Sequence, residues 1–303
     1  MMTAPVQQVL RGELRIDEPM SKHTSWRVGG TADNYYRPAD VDDLALFLQQ
    51  LDSSEPLTWL GLGSNVLVRD GGIRGTVIAL SGLLNNIERL DDTHVRAEAG
   101  VSCAKVARFA TRNDLEQAEF LAGIPGTMGG ALAMNAGAFG GETWRVVESV
   151  ETLDRSGKRH TRDASDYETG YRSVKGPEGE WFVAATLKLV EGDGEAAHQR
   201  VKALLAKRGE TQPTSQPSCG SVFRNPEGDH AARLIEACGL KGTCIGGACV
   251  SEKHANFIIN SDKASAADIE SLVEKVASTV AEQQGVQLVR EVHVIGEAAG
   301  GDA

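Results

Sequence analysis

The sequence predicts an α+β protein built in three parts. Helix-patterned and strand-patterned segments mix without the regular alternation that builds a doubly wound parallel sheet. Two glycine-rich stretches, Gly61–Gly72 and Leu121–Gly141, punctuate the first half, and the polar run EGDGEAAHQ at 191–199 is the clearest internal break. A length of 303 residues allows two or three domains.

The first part opens with SWRVGGTADNYYRPAD, in which aromatic and β-branched residues flank a glycine turn. Asp40 is placed to cap the helix VDDLALFLQQL, and LTWLGLG, NVLV and TVIAL read as strands, giving a small sheet with one helix and a glycine loop at its edge. HVRAEAG is a further strand. Ser102 opens the helix CAKVARFATRNDL, where Val106, Phe109 and Ala110 share a face. RVVESVETLD, RSG and KRHTR read as a hairpin, and WFVAATLKLV as another strand. RVKALLAKRG is helical. Asp229 is placed to cap HAARLIEACGL, with Gly239 at its end. Ser265 caps a long helix that turns Ile269, Leu272, Val273, Val276 and Val280 to one side and ends at Gly285; VQLVREVHVIG finishes as a strand. The expected division is 20–81, 82–191 and 192–297, with 1–19 and 298–303 as flexible ends and EAAGGDA as a disordered tail.

A hydrophobic share of 41% and a charged share of 24% are those of a soluble globular protein. The net charge of -11 repels polyanions, which argues against nucleic-acid and membrane-surface roles and requires any anionic ligand to be held locally. No apolar run reaches the roughly 18 residues a membrane span needs, and the N-terminus lacks a charged start followed by an apolar stretch, so a cytoplasmic protein is expected. The five cysteines are odd in number and form no C-x-x-C pair, which predicts reduced thiols. Cys244, Cys249 and His254 match no common zinc spacing, and no metal site is expected.

The stretch GLGSNVLVRDGG is not the dinucleotide fingerprint G-x-G-x-x-G. Its third glycine position holds Val66, and a β-branched run follows where a helix would be required. Gly61 and Gly63 beside Ser64 and Asn65 still suit a backbone that bends sharply and turns its amides toward an anion. A single such loop is best read as a turn. Two of them suit a ligand with adjacent phosphates, one loop on each side.

In order along the chain stand GLGSNVLVRDGG, AGIPGTMGGALAMNAGAFG (122–140), GYR (170–172), CGSVFRNP (219–226), GGACVSEKHANFIIN (246–260) and REVHVIG (290–296). Together, from about Ser21 to Gly296, they resemble the UDP-N-acetylenolpyruvoylglucosamine reductase family. The resemblance implies a two-part FAD-binding fold of the vanillyl-alcohol-oxidase type followed by a C-terminal α/β substrate-binding domain. It implies that NADPH reduces FAD and is replaced in the same cleft by a UDP-linked enolpyruvyl sugar. Hydride then reaches the vinyl methylene carbon, a proton reaches its neighbour, and UDP-N-acetylmuramate leaves for peptidoglycan synthesis.

That chemistry requires charge stabilisation at the carboxylate-bearing carbon and a proton donor facing it. By resemblance Arg172 and Glu291 take the first role and Ser221 the second. The matched FAD set is Gly61, Gly63, Ser64, Asn65, Leu67, Gly123, Ile124, Gly126, Thr127, Gly130, Asn135 and Gly137, with Ala122 and Val183 along the ring system. Tyr171, Asn225, Arg208, Gln212 and His254 are the implied substrate contacts. Neither glycine loop contains a histidine, so the flavin is expected to be non-covalent, in a monomer. The short segment YRSVKGPEGEW departs from the family pattern around Arg172, Arg224 stands where lysine is frequent, and the chain resembles the shorter second type of the family. Two other readings share the glycine loops. They are another flavoprotein oxidase or dehydrogenase of the superfamily, which has no need of Ser221, Asn225 and Glu291 together, and a non-catalytic flavin or nucleotide-sugar module, which has no need of Arg172.

Overall fold

In the computed structural model, residues 9–300 are described. The first region holds β1 (Glu13–Pro19), β2 (Thr31–Arg37), α1 (Val41–Gln50), β3 (Leu57–Leu60), β4 (Val66–Val68) and β5 (Ile73–Ala79). Its sheet runs β1-β2-β5-β3, with β1 antiparallel to β2 and β5 parallel to both β2 and β3. The Asp40 carboxylate accepts from Asp43 N and starts α1, which buries Leu44, Phe47 and Leu48 against Tyr36 and Ile78. The glycine loop leads into a strand, β4, as the residues after it require. The expected flexibility of 1–19 is corrected at Glu13–Pro19, which is the edge strand of this sheet; residues 1–8 lie outside the described residues, as do 301–303 of the predicted tail. Glu297 is pinned by backbone bonds to Gly71 and Gly72.

The middle region contains β6 (Ile87–Arg89), β7 (His94–Glu98), α2 (Cys103–Arg112), β8 (Leu115–Glu116), α3 (Met128–Met134), β9 (Gly137–Ala138), β10 (Gly141–Glu142), β11 (Val147–Asp154), β12 (Arg159–Asp163), β13 (Glu168–Gly170), β14 (Ser173–Lys175), β15 (Glu180–Lys188), β16 (Val190–Glu191) and α4 (Gly194–Thr211). Five strands pair in the order β12-β11-β15-β7-β6, all antiparallel. Val106, Ala107 and Ala110 of α2 meet Met128 and Leu132 of α3 in the core on this sheet. The polar break is half helix: Asp193 caps α4, whose Val201 joins this same core, so α4 packs with the middle region although the division at 192 assigns it to the third.

The third region comprises α5 (Ala231–Ala237), β17 (Cys244–Ile245), β18 (Ala248–Val250), β19 (Ile258–Asn260), α6 (Ala266–Gln284) and β20 (His293–Ile295). Ser265 and Asp268 form a capping box on α6, the predicted apolar face is buried, at about 1.5–3 kcal/mol per side chain, and Gly285 ends the helix with a φ of 70°. Asp229 does not cap α5. The helix starts later, and Asn225 Oδ1 accepts from Ala231 N at 3.1 Å, while Asp229 pairs with Arg233. Reduced thiols are corrected at two positions: Cys244 and Cys249, opposite each other on β17 and β18, are joined by a disulfide.

The third region is bound to the first at several points. β20 lies parallel to β4 in the register His293 to Val66, and Trp26, fully buried, donates from its indole to Ile258 O at 2.7 Å. The strand after the first glycine loop is thus paired with the segment that carries Glu291.

Candidate functional site

The three regions meet around a cavity of about 590 Å³, within the range of ligand sites. One wall is the first glycine loop, Gly61, Gly63, Ser64 and Asn65; the facing wall is the second, with Gly123, Ile124, Gly126, Thr127, Gly130 and Gly137. Arg172, Ser221 and Glu291 line the same space.

Arg172 reaches it from the two-residue turn of the β13 and β14 hairpin, where Gly170 pairs with Ser173. Its φ of 53° is left-handed, a conformation that non-glycine residues keep where the surroundings enforce it. Arg172 Nε donates to Glu291 Oε1 at 2.6 Å, and the two side chains are 19% and 10% exposed, so the pair is largely withdrawn from water. Among the described residues only Nε is engaged, which leaves the terminal guanidinium nitrogens for another carboxylate. Glu291 is fixed through its backbone: its N–H donates to Val222 O at 2.8 Å, and its carbonyl accepts from Asn65 Nδ2 at 3.1 Å. The side chain of a first-loop residue therefore holds the backbone of the acid. Arg224 Nη2 donates to Arg172 O at 3.4 Å and braces the turn from the other side.

The Ser221 segment is held by Asn256. Its amide closes a pair of bonds with Phe223, at 3.0 and 2.8 Å, and its carbonyl accepts from Val222 N. Ser221 itself makes no hydrogen bond to the described residues and is free to serve a ligand. Cys219 lines the cavity but its thiol points at the first loop, donating to Val66 O at 3.4 Å. Burial pushes this thiol up to about 12 and keeps it protonated; its direction, toward the backbone carbonyls of the first loop, sets it apart from Ser221.

The walls leave clearance and an unmet polar group for a ligand. Thr127 Oγ1 is buried without a partner, an orphan that a ligand polar group would satisfy. A Cβ placed on Gly126 or Gly130 would find its nearest protein atoms at 3.7 and 3.8 Å, so the missing side chains open toward the cavity.

Residues 32–162 match the FAD binding domain family, and 212–295 match the family described as UDP-N-acetylenolpyruvoylglucosamine reductase, C-terminal domain. The chain is 62% identical to the UDP-N-acetylenolpyruvoylglucosamine reductase of Methylococcus capsulatus over 95% of each chain. It is 59% identical to that of Alkalilimnicola ehrlichii over 98% of this chain and 99% of the relative. The chain belongs to the UDP-N-acetylenolpyruvoylglucosamine reductase family. The crystal structure of the reductase from Thermus caldophilus superposes with a TM-score of 0.80 at 32% identity, covering 94% of this chain and 99% of that one. Membership makes it an FAD-dependent oxidoreductase of peptidoglycan precursor synthesis, with an FAD-binding fold followed by the family's C-terminal domain.

Not every residue matched to the reductase family faces the cavity. Leu67, Ala122 and Val183 are buried in the cores behind it, Val183 on β15 against α1. Asn135, left-handed at φ 43°, holds Trp144 N and Gly170 O, and so steadies the base of the Arg172 hairpin. Asn225 lines neither cavity, and its Oδ1 caps α5. His254 lines neither cavity but packs edge-on against Phe257, which lines both, and burial lowers its pKa. Tyr171 is half exposed beside the Arg172 guanidinium. Arg208 and Gln212 do line the cavity, joined by an Nε to Oε1 bond of 3.1 Å. Arg208 also borders a second cavity of about 330 Å³ that shares Ser64, Gly220 and Phe257, adds Arg27, and has no carboxylate in its wall. Arg27 carries no signal in composition or periodicity, and only the fold shows where it sits; Asn256 belongs to the matched stretch 246–260, and the fold gives it the structural role of holding the Ser221 segment. Among the described residues, no group of three or more metal-ligating side chains comes together.

Proposed function

We propose that this protein reduces the enolpyruvyl group of UDP-N-acetylglucosamine enolpyruvate to UDP-N-acetylmuramate, with non-covalent FAD in the larger cavity and NADPH as the hydride donor. The reading rests on one arrangement: an Arg172 and Glu291 pair and an unengaged Ser221 hydroxyl lining the same cavity as both glycine loops. When bound, FAD supplies hydride, received from NADPH and passed to the vinyl methylene carbon.

The protein's own groups do the rest. Gly126 and Gly130 admit the cofactor to close backbone contact, and Thr127 Oγ1 has a free hydrogen-bonding position to offer it. The terminal nitrogens of Arg172 receive the substrate carboxylate, and Glu291 keeps the guanidinium aimed, so negative charge developing at the carboxylate-bearing carbon meets a fixed cation. Ser221 delivers its proton to that carbon, which is basic enough to take a proton from an alcohol. The smaller cavity, with Arg27 and Arg208 and no carboxylate, suits the diphosphate of the nucleotide sugar in a protein whose overall charge is -11. No Rossmann fingerprint is present, consistent with a nicotinamide that visits the substrate cleft. No described helix is long and apolar enough to cross a membrane. A nucleotide-sugar substrate supports reading the protein as cytoplasmic, and we read it as a monomer.

The test is anaerobic stopped flow on the FAD-loaded protein, mixed with NADPH and then with the UDP-enolpyruvyl sugar. Bleaching of the flavin band followed by recovery on adding the sugar is expected. Bleaching without recovery would discard the substrate. In Ser221→Ala the NADPH half-reaction should stay within about twofold and the sugar half-reaction slow by about 10²–10⁴; equal rates would move the proton donor elsewhere.

A further inference from the structure

We propose that Cys244 and Cys249 form a reversible thiol–disulfide site that exchanges with low-molecular-weight disulfides of the glutathione class. The two sulfurs are brought together by backbone pairing before any bond forms. Ile245 pairs with Ala248 around the turn Gly246–Gly247, which places Cys244 directly opposite Cys249. The hairpin has contacts besides the disulfide that hold it. Gly246 lies against the Asp268 carboxylate at the start of α6, where a Cβ would come within 2.4 Å, and Val250 N donates to Thr243 O below the pair. β18 is further held by β19. With both thiols free, the ladder keeps them adjacent, so closure is an intramolecular step with a high effective concentration.

Accessibility singles out this pair among the five cysteines. Cys244 is exposed and Cys249 partly so, while Cys103 and Cys219 are buried, with thiols that burial pushes up to about 12. Cys238 is partly buried on the far end of α5 and has no cysteine opposite it. Neither Cys244 nor Cys249 lines either cavity.

The exchange balances in two steps. The Cys244 thiolate attacks one sulfur of the small disulfide, expels one small thiolate, and is left as a mixed disulfide. The Cys249 thiolate then attacks Cys244 Sγ, closes the protein disulfide and releases the second small thiolate. Two protein sulfurs are oxidised, the small disulfide is reduced, and the protons of the protein thiols end on the two released thiols. The bond fastens β17, the outermost strand of its sheet, to β18.

The experiment uses the full-length, FAD-loaded protein equilibrated in mixtures of reduced and oxidised glutathione, alkylated without denaturant and read by peptide mass. Reduced protein should take label at Cys244 and Cys249 and none at Cys103 or Cys219. As the oxidised fraction rises, both labels should disappear together with the loss of two hydrogens, and dithiothreitol should restore them. The melting temperature should rise by a few degrees on oxidation and stay constant in Cys244→Ser, whose remaining Cys249 carries glutathione or label. Flavin content and turnover should change by less than twofold, so the outcome is independent of the reductase reading. A bond that resists dithiothreitol in the native protein, one that fails to form at any glutathione ratio, or one that forms to Cys238 would each overturn the proposal.

Discussion

The two glycine loops look alike in sequence and differ in what their glycines face. In the first, Gly63 has a φ of 67°, and a Cβ there would lie 2.0 Å from His23 O; a Cβ on Gly61 would lie 2.5 Å from Thr127 Oγ1. These glycines are required by the protein's own packing. In the second, Gly123 and Gly137 are likewise closed, by the Phe139 ring at 2.3 Å and Gly141 O at 2.5 Å, but Gly126 and Gly130 are bare toward the cavity. A glycine count therefore mixes two causes, backbone fit and clearance for a ligand. Only the second belongs to the cofactor.

Breaking each loop separately tests the distinction. Gly63→Val should have the largest effect, because it combines a β-branched residue at positive φ with a clash against backbone, costing about 3 kcal/mol or more. Thermal melts should show a large fall in stability with and without FAD, and native-like melting would place Gly63 with the ligand-facing set. Gly126→Val should leave the melt of the flavin-free protein unchanged while weakening FAD binding on the order of 100-fold, read by fluorescence titration; full affinity would remove this wall from the cofactor site. Asn65→Ala removes the bond to Glu291 O and should slow reoxidation by the sugar about 10-fold, more than it slows reduction by NADPH. Equal slowing would mean that Asn65 acts on the flavin alone. Thr127→Val should weaken FAD binding about 5- to 10-fold and leave the flavin-free protein as stable or slightly more so, since a buried orphan is lost. Unchanged affinity would leave that hydroxyl unexplained.

What could be read beforehand was local. Asp40, Ser102 and Ser265 sit one residue before an apolar periodicity, and each caps the helix it was expected to cap. Asp229 misled because the oxygen that caps α5 comes from Asn225, six residues before the first N–H it serves, through an irregular turn that no spacing rule encodes. The disulfide was legible in principle, since C-I-G-G-A-C is symmetric about a two-glycine turn, but an odd total pointed to free thiols. Arg172, Ser221 and Glu291 lie far apart in the chain; alone, Arg172 and Glu291 each read as an ordinary surface residue and Ser221 as a hydroxyl that satisfies a backbone group. They converge through β20 joining β4 and through the clamp of Asn256, neither of which leaves a periodic trace. Resemblance supplied their names, and it also supplied Val183 and Asn225, which the fold turns away from the cavity.

The return of β20 to β4 limits how the molecule can be divided. A shortened protein ending at Thr211 would keep both glycine loops and the whole middle core, yet it would leave β4 as an unpaired edge and strip the cover from Trp26, the largest fully buried side chain. Such an edge is a template for pairing with other chains. The flavin half is therefore not a portable module, and grafting it elsewhere requires carrying along a strand from the opposite end of the polypeptide.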